Sequence, residues 1–263
     1  MSDFNQEIQQ IRREMLAKLE AAKAPFLPIF IKNWKRYEAC ARFLLTEVPD
    51  IKSRSICDYG CGHPYMLYML RRLGLNVIGF EPYATEDEWQ TARTLGVDNY
   101  YSAEPGQIGT YDLVVLVDVI EHISVVKFFM EDMKKLMNPG GQIFISTPNV
   151  LRIDMYIQFL FRRTGHPNPI HIFATMDNNY THHQREFTLD ELKFLFKKYQ
   201  FRTVKGYIRK TVDREAIRKY HNTGSKSLPG RVFEDFKDLL MYLWPNKFAN
   251  NILFLAQENF IRK

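Results

Sequence analysis

Three cysteines in 263 residues, Cys40, Cys57 and Cys61, are too few and too odd in number for a closed disulfide framework, which points to a reducing compartment. The opening residues, Met1-Ser2-Asp3-Phe4-Asn5-Gln6-Glu7, lack the basic-then-apolar pattern of a secretory signal. No apolar run approaches the roughly 18 residues that a membrane span requires. A soluble, cytoplasmic protein is the expectation. Internal repeats and low-complexity linkers are missing too, and the composition excludes collagen-like, disordered and disulfide-stapled chains. Two nucleotide signatures are also absent. No G-x-x-x-x-G-K-[ST] loop occurs, and after Gly60-x-Gly62 the third glycine of a dinucleotide fingerprint is replaced by Tyr65.

What is present is enough apolar residue, 46%, for a real core in one large domain or two small ones. The net charge of +6 is unevenly placed. Between Lys197 and Arg231 eleven basic residues face only Asp213 and Glu215, so this stretch carries +9 and the rest of the chain −3. Lys210, Arg214, Arg218 and Lys219 recur at helical spacing. They form either a solvated helix face or a positive ridge suited to an anionic acceptor: a nucleotide-linked sugar, a phosphorylated glycan, a lipid headgroup or RNA. The next stretch, Val232-Phe233, Phe236, Leu239-Leu240 and Leu243-Trp244, is amphipathic and fits the core, a peripheral membrane contact or a partner subunit; the oligomeric state stays open.

Residues 4–22 carry Phe4, Ile8, Ile11, Met15 and Leu19 at helical spacing. Pro25 and Pro28 interrupt the pattern, and residues 33–47 resume it with Trp34, Tyr37, Ala41 and Leu44. Two helices packed on the domain, or a lid over a substrate site, would read this way, so residues 1–50 are expected to form a helical cap. From residue 55 onward, short apolar runs alternate with amphipathic stretches. Strands are expected at 55–59, 76–80, 112–118, 142–147, 201–208 and 251–256, with a short one at 99–102; helices at 64–73, 124–137 and 151–163; and a turn at Asn138-Pro139-Gly140-Gly141. Thr85-Glu86-Asp87-Glu88 and Thr188-Leu189-Asp190-Glu191 have capping-box spacing and open two more helices, the first closed by Gly96. The alternation implies an α/β fold, a doubly wound and mostly parallel sheet with helices on both faces, over residues 51–263 with insertions at 151–187 and 209–248.

The first strand ends in Asp58-Tyr59-Gly60-Cys61-Gly62-His63-Pro64-Tyr65, where glycines permit a tight turn and close approach to a ligand. The second ends in Glu81, 23 residues after Asp58, where a carboxylate can accept from both ribose hydroxyls of an adenosine. Cys61, with no base beside it in sequence, reads as packing. At these residues the chain resembles the class I S-adenosylmethionine-dependent methyltransferases. The resemblance continues through Tyr111-Asp112-Leu113-Val114-Val115, Asp118-Val119-Ile120-Glu121-His122, Leu136-x-Asn138-Pro139-Gly140-Gly141 and Ser146-Thr147-Pro148-Asn149, covering about residues 51–201. It implies a seven-stranded Rossmann-like sheet and S-adenosyl-L-methionine as cofactor. By that pattern the methionine part sits on Asp58, Tyr59, Gly60, Cys61 and Gly62. The ribose sits on Glu81 with Pro82, the adenine lies near Ser102-Ala103-Glu104, and Asp118 faces the methionine end and the acceptor. The chain departs at Pro64, where the family has glycine, and at His63, where it has a small hydroxyl residue; proline as a first helical residue is sterically acceptable.

The second constellation is Asp118-x-x-Glu121-His122 with His182-His183 downstream. A neutral imidazole suits removal of a proton from an acceptor hydroxyl, so His122 or His183 is a candidate base, with Glu121 or Asp118 as the orienting carboxylate. A structural role for the Glu121-His122 pair is the second reading. The third is a divalent-metal site from Asp118, Glu121, His122 and one of His182 and His183, resembling the arrangement in small-RNA 3′-terminal 2′-O-methyltransferases and some ubiquinone-pathway O-methyltransferases. The loop at 165–171, with Tyr156, Phe159, Phe161 and Phe173 around it, is where the resembling enzymes place acceptor-binding insertions. The expectation is an O-methyltransferase acting on a small-molecule or glycan acceptor that carries negative charge. Metal-assisted methylation of an RNA terminal ribose and a catalytically silent binding subunit are the alternatives.

Overall fold

The apolar runs become strands with two buried faces. In β4 (Tyr111–Val117), Leu113 and Val115 enter one apolar cluster while Val114 and Leu116 enter another, as a strand covered on both sides demands. β1 (Ser55–Tyr59) and β5 (Met137–Pro148) divide in the same way, Ile56 and Phe144 to the first cluster, Cys57, Ile143 and Ile145 to the second. This computed structural model describes residues 2–102, 108–153, 155–156, 183–211 and 249–259, together with positions 236, 239, 240 and 243.

With β2 (Asn76–Phe80), β3 (Tyr100–Tyr101), β6 (Phe201–Arg209) and β7 (Asn251–Glu258), the strands form a seven-stranded sheet in the order β3-β2-β1-β4-β5-β7-β6. β7 alone among these strands runs in the reverse direction, antiparallel to both β5 and β6. The chain steps outward from β1 to β3 and then returns to β4 on the other side of β1. The carboxyl ends of β1 and β4 therefore border the switch-point crevice where such sheets hold ligands.

α1 (Ser2–Ala21), α2 (Leu27–Glu47), α3 (Tyr65–Arg72) and α4 (Glu86–Leu95) cover the first face. α5 (Val126–Lys135) and α6 (Leu189–Lys198) cover the second. Both capping boxes form, at Thr85 and Thr188, and Gly96 closes α4 in the left-handed conformation. Three of the differences from the expected boundaries have a plain physical cause. α2 starts at Leu27 because Pro28 falls in its first turn, where a missing N–H costs nothing, and Phe30 and Ile31 thereby join Trp34 in the core. Pro64 is the N-cap of α3 rather than its first residue. Residues 138–141, expected as a turn, lie within β5 as a bulge: Tyr111 pairs with Met137 and Leu113 with Gln142, so four residues stand opposite Asp112 alone.

Asp112 ties the amino ends of β1, β4 and β5 together. Its carboxylate accepts from Ser55 N–H at 2.9 Å, Ser55 Oγ at 2.8 Å and Asn138 Nδ2 at 2.8 Å, and these bonds hold its carboxyl below the usual range. The expected helix at 151–163, the loop at 165–171, both insertions and the basic ridge lie outside the described residues, apart from Lys210, residues at their margins and positions 236, 239, 240 and 243. Among the described residues no helix is long and apolar enough to cross a membrane.

Candidate functional site

The turn after β1 is stitched to the end of β2. Gly60 and Gly62 adopt φ of +69° and +46°, the left-handed region that glycine enters without strain. Gly60 and Cys61 N–H donate to Phe80 O at 2.7 and 3.3 Å, and Gly62 N–H donates to Glu81 Oε2 at 2.9 Å. Glu81 Oε1 accepts from Tyr83 N–H at 3.3 Å; burial pushes this carboxyl up, and the two N–H donors oppose the shift. Asp58, at the base of the turn, is 1% exposed, and one oxygen, Oδ2, has no hydrogen-bond partner. Burial, and then the charge of Glu81, push its carboxyl up to about 7.

The two departures from the family pattern are absorbed by packing. His63 places Nδ1 3.0 Å from Thr91 Oγ1, and its ring lies 4.2 Å from Phe26 and stacks at 5.6 Å on Tyr65. Burial lowers its pKa, against the pull of Glu88 and Asp87. Pro64 keeps its carbonyl for Tyr68 N–H at 3.0 Å. The turn and the helix behind it are both intact.

A cleft of about 880 Å³ opens at the switch point, lined by Tyr59, Gly60, Glu81, Pro82, Ser102, Asp118 and His122 among others. Seven expected site residues are thus brought to one surface. Asp58, Cys61 and Gly62 are not on that lining and shape the turn behind it; Glu121 and His183 are not on it either. Burial pushes the Cys61 thiol well above its usual range, and its Sγ is packed against Gly79, as the packing reading of this residue requires. Ala103 and Glu104 lie outside the described residues.

Asp118 follows β4 with φ +57°, its N–H donating to Ser146 O at 2.8 Å. Its carboxylate forms an ion pair with Arg36 of α2, while its Oδ1 is buried without a hydrogen-bond partner. With the Asn251 amide oriented to accept, Arg36 Nε also donates to that side chain at 3.1 Å. Arg36 was not legible in the sequence. It sits beside Lys35 on the polar side of a helix, where a basic residue ordinarily faces water.

The histidine cluster forms where segment 183–187 crosses the end of β4. Glu121 O accepts from Gln184 and Arg185 N–H at 2.7 and 3.1 Å, which brings the His122 and His183 rings to 4.9 Å, nearly perpendicular. Glu121 is fully buried; Oε2 accepts from Thr147 Oγ1 at 2.9 Å, and Oε1 has no hydrogen-bond partner. Burial raises its pKa. The carboxylate on His183 is neither Glu121 nor Asp118, as expected, but Glu186, whose Oε1 lies 2.9 Å from Nδ1. Glu186 also pairs with Arg152. Burial raises the Glu186 carboxyl, but the bonds from His183 and Arg152 outweigh it and hold the group below its usual value. Its position three residues after His183 was the one available signal.

Donor atoms of Glu121, His122 and His183 lie within 4.8 Å of one another. Asp118 is outside that group and engaged by Arg36, so the expected four-donor set assembles only in part; His182 lies outside the described residues.

Residues 33–205 match a family model described as a methyltransferase domain. A ubiquinone biosynthesis O-methyltransferase of Rhizobium etli is 32% identical over 123 residues, covering 43% of this chain and 50% of that protein. The chain spans about half the length of the curated relatives it matches. Crystal structures of S-adenosylmethionine-dependent methyltransferases from Archaeoglobus fulgidus and Mesorhizobium loti superpose with TM-scores of 0.52 and 0.53, at 18% and 14% identity. The first match covers 84% of this chain and 94% of that one, the second 86% and 97%. At these identities the likeness is one of fold.

Proposed function

Because the chain belongs to the methyltransferase-domain family and has the class I fold, with S-adenosyl-L-methionine as cofactor, we propose that it methylates a hydroxyl oxygen of a polar, anionic acceptor, a carbohydrate or similar metabolite. The residues fit that cofactor. A Cβ on Gly60 would fill the cradle, coming within 2.7 Å of Val119, and Asp118, which also lines the cleft, keeps an unpartnered buried oxygen. When bound, the cofactor supplies an electrophilic methyl carbon on a sulfonium.

Glu81 keeps lone pairs for two ribose hydroxyls, since each oxygen accepts only one backbone N–H. Arg36, paired with Asp118 of the cleft, would supply a cation for the free carboxylate of the cofactor. His183, with Nδ1 engaged, retains Nε2, which would take the proton of the acceptor hydroxyl. His122 lines the cleft and stands beside it as the second imidazole. The observation that carries this reading is the pairing of His183 with His122, which lines the cleft, from segments about sixty residues apart in sequence. An oxygen acceptor accords with the Rhizobium relative, an O-methyltransferase, and an anionic one with the +9 segment.

The test is labelled-methyl transfer to sugar acids, nucleotide-linked sugars, phenols and short RNA by the wild type, His122→Ala and His183→Ala. Wild-type turnover in both variants would eliminate the histidine base. Absence of S-adenosylhomocysteine binding by calorimetry would favour a silent binding subunit. One observation favours a second reading, the proximity of the Glu121, His122 and His183 donors. A divalent ion held by those three residues would bind and acidify a hydroxyl. Turnover that survives exhaustive chelation would remove this reading.

A further inference from the structure

We propose that Glu186, clamped by Arg152, is a positioning residue that holds His183 as the tautomer with its proton on Nδ1, so that Nε2 is the nitrogen left bare for the acceptor's proton. The inference rests on the reading of His183 above and deepens it. An ionised carboxylate only accepts hydrogen bonds, so a neutral imidazole whose Nδ1 lies 2.9 Å from Glu186 Oε1 must carry its proton there. Glu186 is nearly inaccessible to solvent, its side chain 2% exposed, so water does not compete for that oxygen. Its other oxygen is taken by Arg152, a charge-assisted bond that fixes the carboxylate plane.

The clamp is built on the rigid end of the sheet. Arg152 Nη1 also donates to Asn149 O at 3.2 Å. Asn149 is pinned beside β7, its N–H on Asn250 O at 2.9 Å and its Nδ2 on Ala249 O at 2.8 Å. Phe187, next to Glu186, bridges to Asn149 and accepts Val150 N–H at 3.1 Å. Glu121 does not make this bond: its Oε2 accepts from Thr147 Oγ1 and its Oε1 has no hydrogen-bond partner. A carboxylate held from two sides and placed on one imidazole nitrogen sets which nitrogen stays free, the role that second ring contacts play for working histidines generally.

The experiment is nitrogen-15 NMR of histidine-labelled full-length protein, with His183 assigned by its loss in His183→Gln, at a pH where the ring is neutral. The wild type is expected to show Nδ1–H. Glu186→Ala should shift the tautomer ratio toward Nε2–H about ten-fold or more, as loss of one charge-assisted hydrogen bond implies. Glu186→Gln, which keeps an acceptor oxygen, should recover part of the wild-type ratio, whereas a merely structural strut would leave the ring unchanged. Melting temperature and S-adenosylhomocysteine affinity report whether each variant is folded; if Glu186→Ala is not, Arg152→Met carries the comparison. An Nε2–H ring in the wild type, or an Nδ1–H ring retained in a folded Glu186→Ala, overturns the proposal. Turnover of His183→Ala decides the separate question of the base, and its failure is visible whatever the tautomer.

Discussion

Replacing Gly60 by alanine should damage the molecule in two separable ways. At φ +69° a side chain costs about 1–2 kcal/mol for the left-handed backbone alone. The new Cβ would also lie 2.7 Å from Val119 Cγ2 and 3.2 Å from Cγ1, so Val119 or the turn must move, at about 1–3 kcal/mol for overpacking. Gly74 is the internal control. Its φ is +77°, but a Cβ there meets nothing within 4 Å, so Gly74→Ala should cost only the backbone part. With ~2–4 °C per kcal/mol for a chain of this size, Gly60→Ala should melt roughly 4–20 °C low and Gly74→Ala about 2–8 °C low. Urea denaturation of both variants measures the gap, and Val119→Ala combined with Gly60→Ala should close much of it. S-adenosylhomocysteine calorimetry adds the functional arm, with weakened binding for Gly60→Ala and unchanged binding for Gly74→Ala. Equal destabilisation of the two alanine variants, or no rescue by Val119→Ala, would refute the steric account of the turn.

Arg36→Ala should cost about 1–3 kcal/mol in urea denaturation, because it strands the Asp118 carboxylate, which already has one unpartnered buried oxygen; Arg36→Lys should restore part of it. Asp58 titrates near 7 in the fold and near 3.8 outside it, so between those values the native state holds the extra proton and stability falls as pH rises. Asp58→Asn should flatten that slope, on the order of a few kcal/mol across the window; identical slopes in denaturation series from pH ~4.5 to ~8 would contradict it. Asp112 has the opposite sign: its folded carboxyl is depressed, so its contribution is present above the ordinary aspartate value and lost as pH falls through the folded one. Asp112→Ala should therefore cost about 1–3 kcal/mol near neutrality and less in acid, read by denaturation at both pH values.

Much of the architecture was legible because its causes are local. A continuous apolar run such as Leu113–Val117 needs cover on both faces whatever surrounds it, and Thr85 and Thr188 close their capping boxes within four residues. The glycine turn and Glu81 were legible for the same reason: strand, turn and strand end are set by neighbours in sequence, and parallel pairing of β1 with β2 then brings Gly62 N–H to the Glu81 carboxylate. The misplaced boundaries arose where a local signal has two meanings. Pro28 fits a helix start as well as a break, and Asn138–Gly141 fits a bulge as well as a turn.

The chain's sequence thus determined the sheet, its crevice and the identity of the groups that could work there. Only the tertiary structure decided which of those groups meet. Arg36 of α2 reaches Asp118, 82 positions away in sequence, and Glu186, paired with Arg152, takes His183 while Glu121 accepts from Thr147. Those choices depend on the lengths and angles of crossover connections, which no short window of residues encodes.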